Sequence, residues 1–325
     1  MNEAPMSTEP TDQSPLVSVI IPCYNHAAFL QQAIDSIDRQ TYAPIEIVVV
    51  DDGSVDHTNE VASQNQHVRY VYQHNQGLSA ARNTGYRASQ GHFLVFLDAD
   101  DVLYPHAIAY NLAQLLARPD AAFVSGGHEG VDQQLNVLWT TQRVVTDHHY
   151  RHFLMGNYIG MHATVMYRRW VFDTYLFDSS LRACEDYQLY LAVSAQHPVL
   201  HHTNILTGYR QHGTNMSSDS LLMMTVSLSV LQQHEVLLRD EADRQAYKQG
   251  VTFWQKLYCQ QMYLQLTSPS LVLNPDRRAG YVQKLRQNEP VLFMRYQLFR
   301  YVPVKSFLKR MLPRPLIKWL KQAKK

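Results

Sequence analysis

Short apolar runs alternate with helix-like segments through residues 17–101, and each run ends abruptly in polar residues. The runs are Val17–Ile21, Ile45–Val50, Val68–Tyr72 and Phe93–Leu97. Apolar residues at helical spacing separate them at 30–37 and 78–89, with Asn25 a candidate cap for the first helix. Strands that are apolar on both faces and alternate with helices predict an α/β, Rossmann-like fold, in which helices cover both faces of a mainly parallel sheet.

The pattern changes along the remainder of the 325-residue chain. Residues 1–15 are rich in Ser, Thr, Pro and Glu, which is typical of a flexible tail. The α/β domain is expected over 16–216, and helical patterns without a strand signal dominate 217–325. A composition of 46% hydrophobic and 18% charged residues is that of a globular protein. The sequence therefore predicts an α/β domain followed by a helical extension.

Charge and cysteine content exclude several classes of function. The formal net charge is +1, so no overall positive field recruits nucleic acid, and no nucleic-acid partner is expected. The three cysteines are too few and too scattered for a disulfide framework or a zinc cluster. With no signal-peptide pattern and no run of 18 apolar residues, we expect a cytoplasmic location.

Polar signatures follow three of the predicted strands, at 22–25, 51–54 and 98–101. Ligands of open parallel sheets bind beyond the carboxyl ends of the strands. If the chain stays extended after the last strand, Asp98 and Asp100 point the same way and could share Mg²⁺ or Mn²⁺, which suits a diphosphate. Alternatively, one of these acids caps the following helix. A Gly-rich phosphate loop is absent from the sequence, which argues against a dehydrogenase or a P-loop NTPase.

Four sequence blocks carry a family resemblance. Residues 17–25 (VSVIIPCYN), 49–54 (VVDDGS), 75–83 (NQGLSAARN) and 96–101 (FLDADD) resemble the family 2 glycosyltransferases in order and spacing. The resemblance extends over about 17–217. It implies the GT-A fold, a nucleotide-sugar donor, a divalent cation and inversion at the anomeric carbon.

The resemblance also implies roles for particular residues. Asp52 would accept a hydrogen bond from the donor base, which is typically uracil, so a UDP-sugar is the expected donor. Arg82 would lie near the base and phosphates, although a helix-surface salt bridge is the alternative. Asp98 would touch ribose or metal, and Asp100 would be the main ligand of Mn²⁺ or Mg²⁺. The residues expected at the nucleotide sugar are Pro22, Tyr24, Asn25, Asp52, Arg82, Asp98 and Ala99.

The Glu185–Asp186 pair resembles the family's acidic signature at a helix start, and one of the two acids is expected to be the general base. On a helical projection Asp186 shares the apolar face of Leu189 and Tyr190, whereas Glu185 aligns with Gln188. We therefore predict Asp186 as the base that deprotonates the acceptor hydroxyl, with Glu185 as a supporting acid. The alternative is that both acids only complement a helix dipole.

Two further predictions concern the C-terminal part. The block 208–217 resembles the family's closing motif, in which His212 would complete the metal shell or touch the diphosphate. Residues 303–325 combine apolar residues at helical spacing with many lysines and arginines and no acid, a pattern that favours an anionic membrane surface. A helix packed on the catalytic domain and an oligomer contact are the alternatives for this segment.

Taken with the resemblance, these patterns predict transfer of a sugar to a glycan or lipid-linked acceptor in cell-surface polysaccharide synthesis. The half-domain 16–125 would bind the donor and 126–216 the acceptor, with the enzyme cytoplasmic and peripheral on the inner face of the plasma membrane. A nucleotidyltransferase is disfavoured because 22–26 lacks the basic, Gly-rich loop of that class. A catalytically silent sugar-nucleotide-binding or membrane-scaffold protein is the alternative from another class.

Overall fold

The structure is a computed structural model, and it describes residues 14–211, 218–268 and 271–301. These residues fall into two compact units, one before and one after the junction of residues 215 and 216. The elements of the first unit are β1 (Val17–Cys23), α1 (Ala27–Asp38), β2 (Ile45–Asp51), α2 (Thr58–Ser63), β3 (Val68–Tyr72), α3 (Leu78–Ala88), β4 (Phe93–Phe96), β5 (Val102–Leu103), α4 (Ala107–Ala117), β6 (Phe123–Val131), β7 (Val137–Thr141), α5 (His149–Met155), β8 (Met166–Arg168), α6 (Val171–Thr174), α7 (Glu185–Ser194) and β9 (Leu200–Arg210).

One sheet organises the first unit, and within the described residues it has nine strands. The order is β3-β2-β1-β4-β8-β6-β9-β5, with β7 paired to β6. Strands β1 to β4 are parallel, β8 runs antiparallel between β4 and β6, and β6 and β9 are again parallel. The predicted α/β fold with a mainly parallel sheet is confirmed.

Helix α3 packs closely against the sheet at Gly85, which faces β1. A Cβ atom added to Gly85 would lie 2.2 Å from Cγ2 of Ile20, a distance that no side chain tolerates. Ile20 is itself fully buried in the centre of β1. The glycine therefore sets the depth of α3, and with it the position of Arg82 one turn earlier in the same helix.

The predicted capping of α1 by Asn25 was wrong. Asn25 has a positive φ of 56°, and its side-chain oxygen accepts a hydrogen bond from Val55 N (2.9 Å). The helix begins at Ala27, whose N–H instead donates to Asp56 Oδ2 (3.0 Å). Asn25 thus ties the loop after β1 to the loop after β2.

The second unit is helical over its described part. Its helices are α8 (Ser220–Gln233), α9 (Glu241–Thr267), α10 (Pro275–Asn288) and α11 (Pro290–Tyr301). The buried residues include Trp254, Tyr258 and Met262 of α9 and Tyr281 and Leu285 of α10. None of the helices in the described ranges combines the length and the apolar character needed to cross a bilayer.

Candidate active site

The three polar segments meet at one edge of the sheet. Strands β2, β1 and β4 are adjacent and parallel, with Cys23 opposite Asp51 and Ile20 opposite Phe96. Their carboxyl ends therefore open on the same side, which brings 22–25, 51–54 and 98–101 next to one another. This is the edge at which open α/β sheets bind ligands.

Asp52 is buried and holds the loop that leads into α3. Its Oδ1 accepts hydrogen bonds from Gln73 Nε2 (2.6 Å) and Gln76 N (2.9 Å), and its Oδ2 accepts one from Gly77 N (2.8 Å). A carboxylate offers about four lone-pair positions, so these three bonds leave room for one ligand donor. Asp52 thus shapes this corner of the site through the backbone of 76–77.

Tyr24 presents an exposed ring beside this corner. It follows β1 directly and is 49% exposed, whereas Pro22 before it is buried in the strand. The loop that carries Tyr24 is attached to the loop after β2 by Asn25, whose N–H donates a hydrogen bond to Ser54 Oγ (2.9 Å). An exposed aromatic ring beside an anchored backbone is suited to stack on a planar base.

Arg82 is buried and forms ion pairs with two carboxylates from distant parts of the chain. Its Nη2 donates to Asp98 Oδ1 (2.8 Å) and its Nη1 to Glu185 Oε1 (2.5 Å). Burial by itself would lower the pKa of Arg82, but Asp98 and Glu185 raise it overall. Only 2% of the side chain is exposed. Arg82 is therefore a cross-link inside the site, and the surface salt bridge considered for it is excluded.

Asn83 reinforces this connection between α3 and the segment before α7. Its Nδ2 donates to the carbonyl of Phe177 (2.8 Å) and its Oδ1 accepts from Phe177 N (3.1 Å). The Phe177 ring in turn lies 5.4 Å from the guanidinium carbon of Arg82. Two consecutive residues of α3 thus bind the segment before and at the start of α7. Arg82 binds the side chain of Glu185, and Asn83 binds the backbone of Phe177.

The extended course expected for 98–100 was wrong. Strand β4 ends at Phe96, and a turn follows in which Asp101 N donates to the Asp98 carbonyl (3.0 Å). The side chains of Asp98 and Asp100 are both half-buried, while Ala99 between them is buried. Burial raises the pKa of Asp98, with Arg82 opposing this and Asp100 adding to it. The two carboxylates are therefore close enough to influence each other despite the turn.

Asp101 has a structural role that explains why this motif contains a third acid. It is buried and its Oδ1 accepts a hydrogen bond from Arg210 N (2.8 Å), at the end of β9. Arg210 also donates from Nε to the Asp100 carbonyl (2.6 Å). Burial, followed by the charges of Asp100 and Asp98, raises the pKa of Asp101. Arg210 lies within the recognised block 208–217, but no role was predicted for it from the sequence.

Asp98 and Asp100 are the acids that fit a divalent cation. Nowhere in the described ranges do three or more His, Cys, Asp or Glu side chains converge as a complete metal site. However, Mg²⁺ at nucleotide sites is bound by one or two carboxylates together with substrate phosphates, and the half-buried pair matches that donor set. Arg82 engages Oδ1 of Asp98, which leaves Oδ2 for a ligand. His212, predicted as a further ligand, lies outside the described residues.

The structure modifies the expected roles of the two acids at the start of α7. Glu185 was predicted on the less buried face, yet it is 7% exposed and takes the ion pair with Arg82, whereas Asp186 is half-buried. The projection failed because neighbouring elements surround α7, so residues on most of its faces are buried. Burial and, next, the charge of Glu185 raise the pKa of Asp186 to about 7. Asp186 is thus the acid of this pair that is both accessible and tuned to exchange a proton near neutral pH.

His162 packs behind these acids and was not recognised from the sequence. It is buried, and its Nδ1 lies 2.9 Å from the hydroxyl of Tyr190, one turn beyond the acids of α7. Its ring stacks on Tyr190, and its Nε2 has no partner in the described part of the chain. Burial, followed by the charge of Arg82, lowers the pKa of His162, so the ring is neutral. Its ring also lies 5.4 Å from the ring of Phe177, which faces the guanidinium of Arg82.

Comparison with known proteins places this site in a family context. The family model described as "Glycosyl transferase family 2" matches residues 18–176. An uncharacterized glycosyltransferase of Rickettsia prowazekii is 32% identical over 223 residues, which are 64% of this chain and 68% of that protein. The chondroitin synthase of Escherichia coli is 28% identical over 222 residues, but the chain covers 30% of its length.

Solved structures show the same fold at low sequence identity. S. aureus TarS 1-349 in complex with UDP-GlcNAc aligns with a TM-score of 0.61 and 15% identity, over 87% of this chain and 83% of that one. A mannosyltransferase from Pyrobaculum calidifontis, in complex with GDP-Man and Mn²⁺, aligns with a TM-score of 0.55 and 14% identity, over 93% and 87%. The predicted GT-A fold is confirmed.

Proposed function

The chain belongs to glycosyltransferase family 2, and on that basis we propose that it transfers a sugar from a UDP-sugar to a hydroxyl of a glycan or lipid-linked acceptor in cell-surface polysaccharide synthesis. The observation that carries this proposal is the Arg82 bridge. It joins Asp98, at the predicted donor edge, to Glu185, which is the neighbour of Asp186. A donor-binding acid and a candidate base are thereby held at one place, as a transfer reaction requires.

For the donor, we propose that the nucleotide base lies against Tyr24 and hydrogen-bonds to Asp52. The exposed ring and the buried, oriented carboxylate are the features that support this. UDP as the nucleotide is supported by the TarS complex with UDP-GlcNAc, and polysaccharide synthesis by the likeness to a chondroitin synthase. The GDP-Man complex of the Pyrobaculum enzyme makes GDP the natural comparison in any test.

For the cofactor, we propose that Asp98 and Asp100 hold Mn²⁺ or Mg²⁺ together with the diphosphate of the donor. The donor set supports this, as does the Mn²⁺ complex of the Pyrobaculum enzyme. When bound, the cation would neutralise the negative charge of the nucleoside diphosphate that leaves. Arg82 already lies beside Asp98, so it fixes the direction in which that carboxylate faces.

For the chemistry, we propose that Asp186 removes the proton of the acceptor hydroxyl. The acceptor oxygen then forms a bond to the anomeric carbon while the bond from that carbon to the diphosphate oxygen breaks. Because this is one displacement from the side opposite the leaving group, the anomeric configuration inverts. Glu185 supports the reaction indirectly, since its charge contributes to the raised pKa of Asp186.

This assignment predicts a pH dependence of activity. Asp186 must be ionised to accept a proton, and its pKa is raised to about 7 from 3.8. It would be mostly protonated at about pH 6 and mostly ionised at about pH 8. We therefore expect kcat/KM to increase about tenfold per pH unit below about pH 7 and to level off above it. Initial rates across this range measure the effect, and a profile that stays flat down to about pH 5 would contradict the assignment.

Binding of the nucleotide can be tested without knowing the acceptor. We expect UDP with Mn²⁺ to raise the melting temperature of the protein by several degrees, because a ligand at roughly 100 times its Kd stabilises the folded state by about 2.7 kcal/mol. Asp100→Ala should remove the part of the shift that depends on Mn²⁺. Asp120→Ala, which changes an exposed acid of the same unit, serves as the control. If GDP stabilises more than UDP, the donor assignment is wrong; if no nucleotide stabilises the protein, the donor-site proposal fails.

We also propose a location at the cytoplasmic face of a membrane. The predicted contact segment, 303–325, lies outside the described residues, and its support is the sequence pattern of apolar and basic residues without an acid. A lipid-linked acceptor would be consistent with that location.

A further inference from the structure

An exposed tryptophan lies on the hairpin that follows the long strand β6. Trp139 of β7 is 41% exposed and pairs with Gly130 of β6. A Cβ atom added to Gly130 would lie 2.1 Å from Cε2 and 2.5 Å from Cζ2 of the indole, so the ring lies against the backbone of the glycine. One face of the indole is therefore covered, and the exposed area belongs mainly to the opposite face.

A buried histidine supports the edge of this indole. The imidazole of His128 is 4% exposed and meets the indole at 80°, with ring centroids 5.5 Å apart. Burial lowers the pKa of His128 to about 4, so the imidazole is uncharged near neutral pH. Its buried Nδ1 has no hydrogen-bond partner among the described residues. An edge contact with a neutral ring holds the indole in place and leaves its outer face uncovered.

The sheet topology places β7 beside the predicted donor edge. Strand β9 pairs with β6 along most of its length, so β7, which pairs with 128–131, occupies the other side of β6. On that side β8 joins β6 to β4. The hairpin is also tied to the acidic turn after β4, because Arg210 donates to the carbonyls of Gln133 (2.7 Å) and Asp100 (2.6 Å). Trp139 thus lies on a hairpin that is anchored to the turn of the proposed cation ligands.

Packed residues also connect the indole with the helix that carries the proposed base. A Cβ atom added to Gly160 would lie 3.2 Å from Cε1 of His128, the residue that touches the indole. Two residues further along the chain, His162 contacts the hydroxyl of Tyr190 (2.9 Å). Tyr190 lies one turn after Asp186 in α7. The surface that carries the indole is therefore continuous with the start of α7.

From this arrangement we infer that Trp139 is a binding platform for a sugar ring of the acceptor, and that the acceptor is a carbohydrate chain. The inference rests on the proposed transfer reaction and names the class of its acceptor. The apolar C–H face of a pyranose packs on the flat face of an aromatic ring, while its hydroxyls stay in contact with water or polar groups.

The order of strands assigns this platform to the acceptor and not to the donor base. The base is proposed at Tyr24 and Asp52, which follow β1 and β2, and these strands lie on one side of β4. Strands β8 and β6, with β7 attached, lie on the other side of β4. A diphosphate held by Asp98 and Asp100, at the end of β4, would thus separate the base from the platform.

The shape of β7 favours a sugar over a second copy of the chain. The pairing of β7 with β6 shifts between Gly130 and Val131, which leaves Leu138 as an extra residue in β7, a β-bulge. A bulge interrupts the regular edge through which an exposed strand would pair with another copy. The open face of one indole is instead a surface that a single sugar ring can cover.

Oligosaccharide binding tests the inference. The probes are tetrasaccharides of glucose, mannose, N-acetylglucosamine and chondroitin, and saturation-transfer NMR measures their binding to the full-length protein with UDP and Mn²⁺. We expect at least one probe to bind and Trp139→Ala to raise its Kd about tenfold. Trp139→Phe keeps an aromatic face and should raise the Kd by less.

Trp170→Ala is the matched control for these measurements. Trp170 is 37% exposed and belongs to the same unit. It follows the carboxyl end of β8, which runs antiparallel to β4, so it lies at the opposite edge of the sheet from the acidic turn. The Kd of the bound probe should therefore be unchanged in this variant.

Three results would overturn the inference. One is a failure of every probe to bind the wild type, and another is an unchanged Kd in Trp139→Ala. The third is a wild-type dimer in sedimentation analysis that Trp139→Ala converts to a monomer, which would assign the indole to a contact between copies. Stabilisation by UDP should be the same in the wild type and all these variants. A wild type that UDP does not stabilise would instead contradict the donor site, so the two failures are distinguishable.

Discussion

Asp186→Asn is expected to lower kcat by about 10²–10⁴-fold, the usual contribution of a positioned general base. Asparagine has almost the same shape as aspartate but cannot take up the proton of the acceptor hydroxyl at neutral pH. Stabilisation by UDP and Mn²⁺ should be unchanged, since Asp186 is not among the residues proposed to hold the nucleotide. Initial rates of sugar transfer, measured beside thermal shifts, separate the two effects. Asp147→Asn, which changes an exposed acid of the same unit, is the control.

The same pair of measurements addresses the idea of a silent sugar-nucleotide-binding protein. Such a protein would bind UDP and show no transfer in the wild type, so Asp186→Asn would change nothing. A wild type that is active and a variant that keeps more than about a tenth of its rate would instead mean that another group removes the proton. Glu185 is a poor substitute, because its carboxylate is engaged by Arg82.

The largest expected loss of stability is that of Arg82→Met, at about 3–5 kcal/mol in the free energy of unfolding. The substitution leaves Glu185 buried without its counter-ion and removes the partner of Asp98. Urea unfolding followed by circular dichroism measures the change. Arg87→Met is the matched control, because Arg87 lies on the same helix but is exposed, and we expect a change within about 0.5 kcal/mol.

A second variant keeps this prediction testable if Arg82→Met does not fold. Arg82→Lys retains a positive charge but cannot bridge two carboxylates as a planar guanidinium does, so it should be destabilised by less than the Met variant. Adding Glu185→Gln to Arg82→Met should restore part of the stability, since it removes the buried uncompensated charge. If Arg82→Met costs no more than Arg87→Met, the bridge does not stabilise the fold.

Features that depend on neighbouring residues in the chain could be predicted from the sequence. Strands β1, β2 and β3 and helix α3 were predicted within one or two residues of their observed bounds, because buried strands and helices have distinct periods. The meeting of segments 22–25, 51–54 and 98–101 follows from parallel strand order, since parallel neighbours end on the same edge. The first kind of information is local, and the second follows from the general geometry of parallel sheets.

Features that depend on distant residues could not be predicted in this way. The partners Arg82 and Glu185 are 103 positions apart, and no period or spacing links them. As a result, no sequence pattern predicted that Glu185 would be buried more deeply than Asp186. The predicted cap of α1 and the extended course considered for 98–100 failed for a similar reason, because Val55, in the loop after β2, and Arg210, at the end of β9, form hydrogen bonds with these segments. The resemblance to a family located the site residues but not the contacts among them.

The hydrogen bonds of Arg82 and Asn83 also limit which segments of this enzyme can be exchanged for those of a relative. Arg82 holds Glu185, and Asn83 holds the backbone of Phe177, so the segment 177–185 is matched to a helix from the other half of its unit. A chimera that takes 126–216 from a related enzyme would have to bring an acid at 185 and a chain path that returns to Asn83. If 126–216 is the acceptor half, as proposed, we expect acceptor specificity to be exchangeable only between relatives in which both contacts, of Arg82 with residue 185 and of Asn83 with residue 177, are kept.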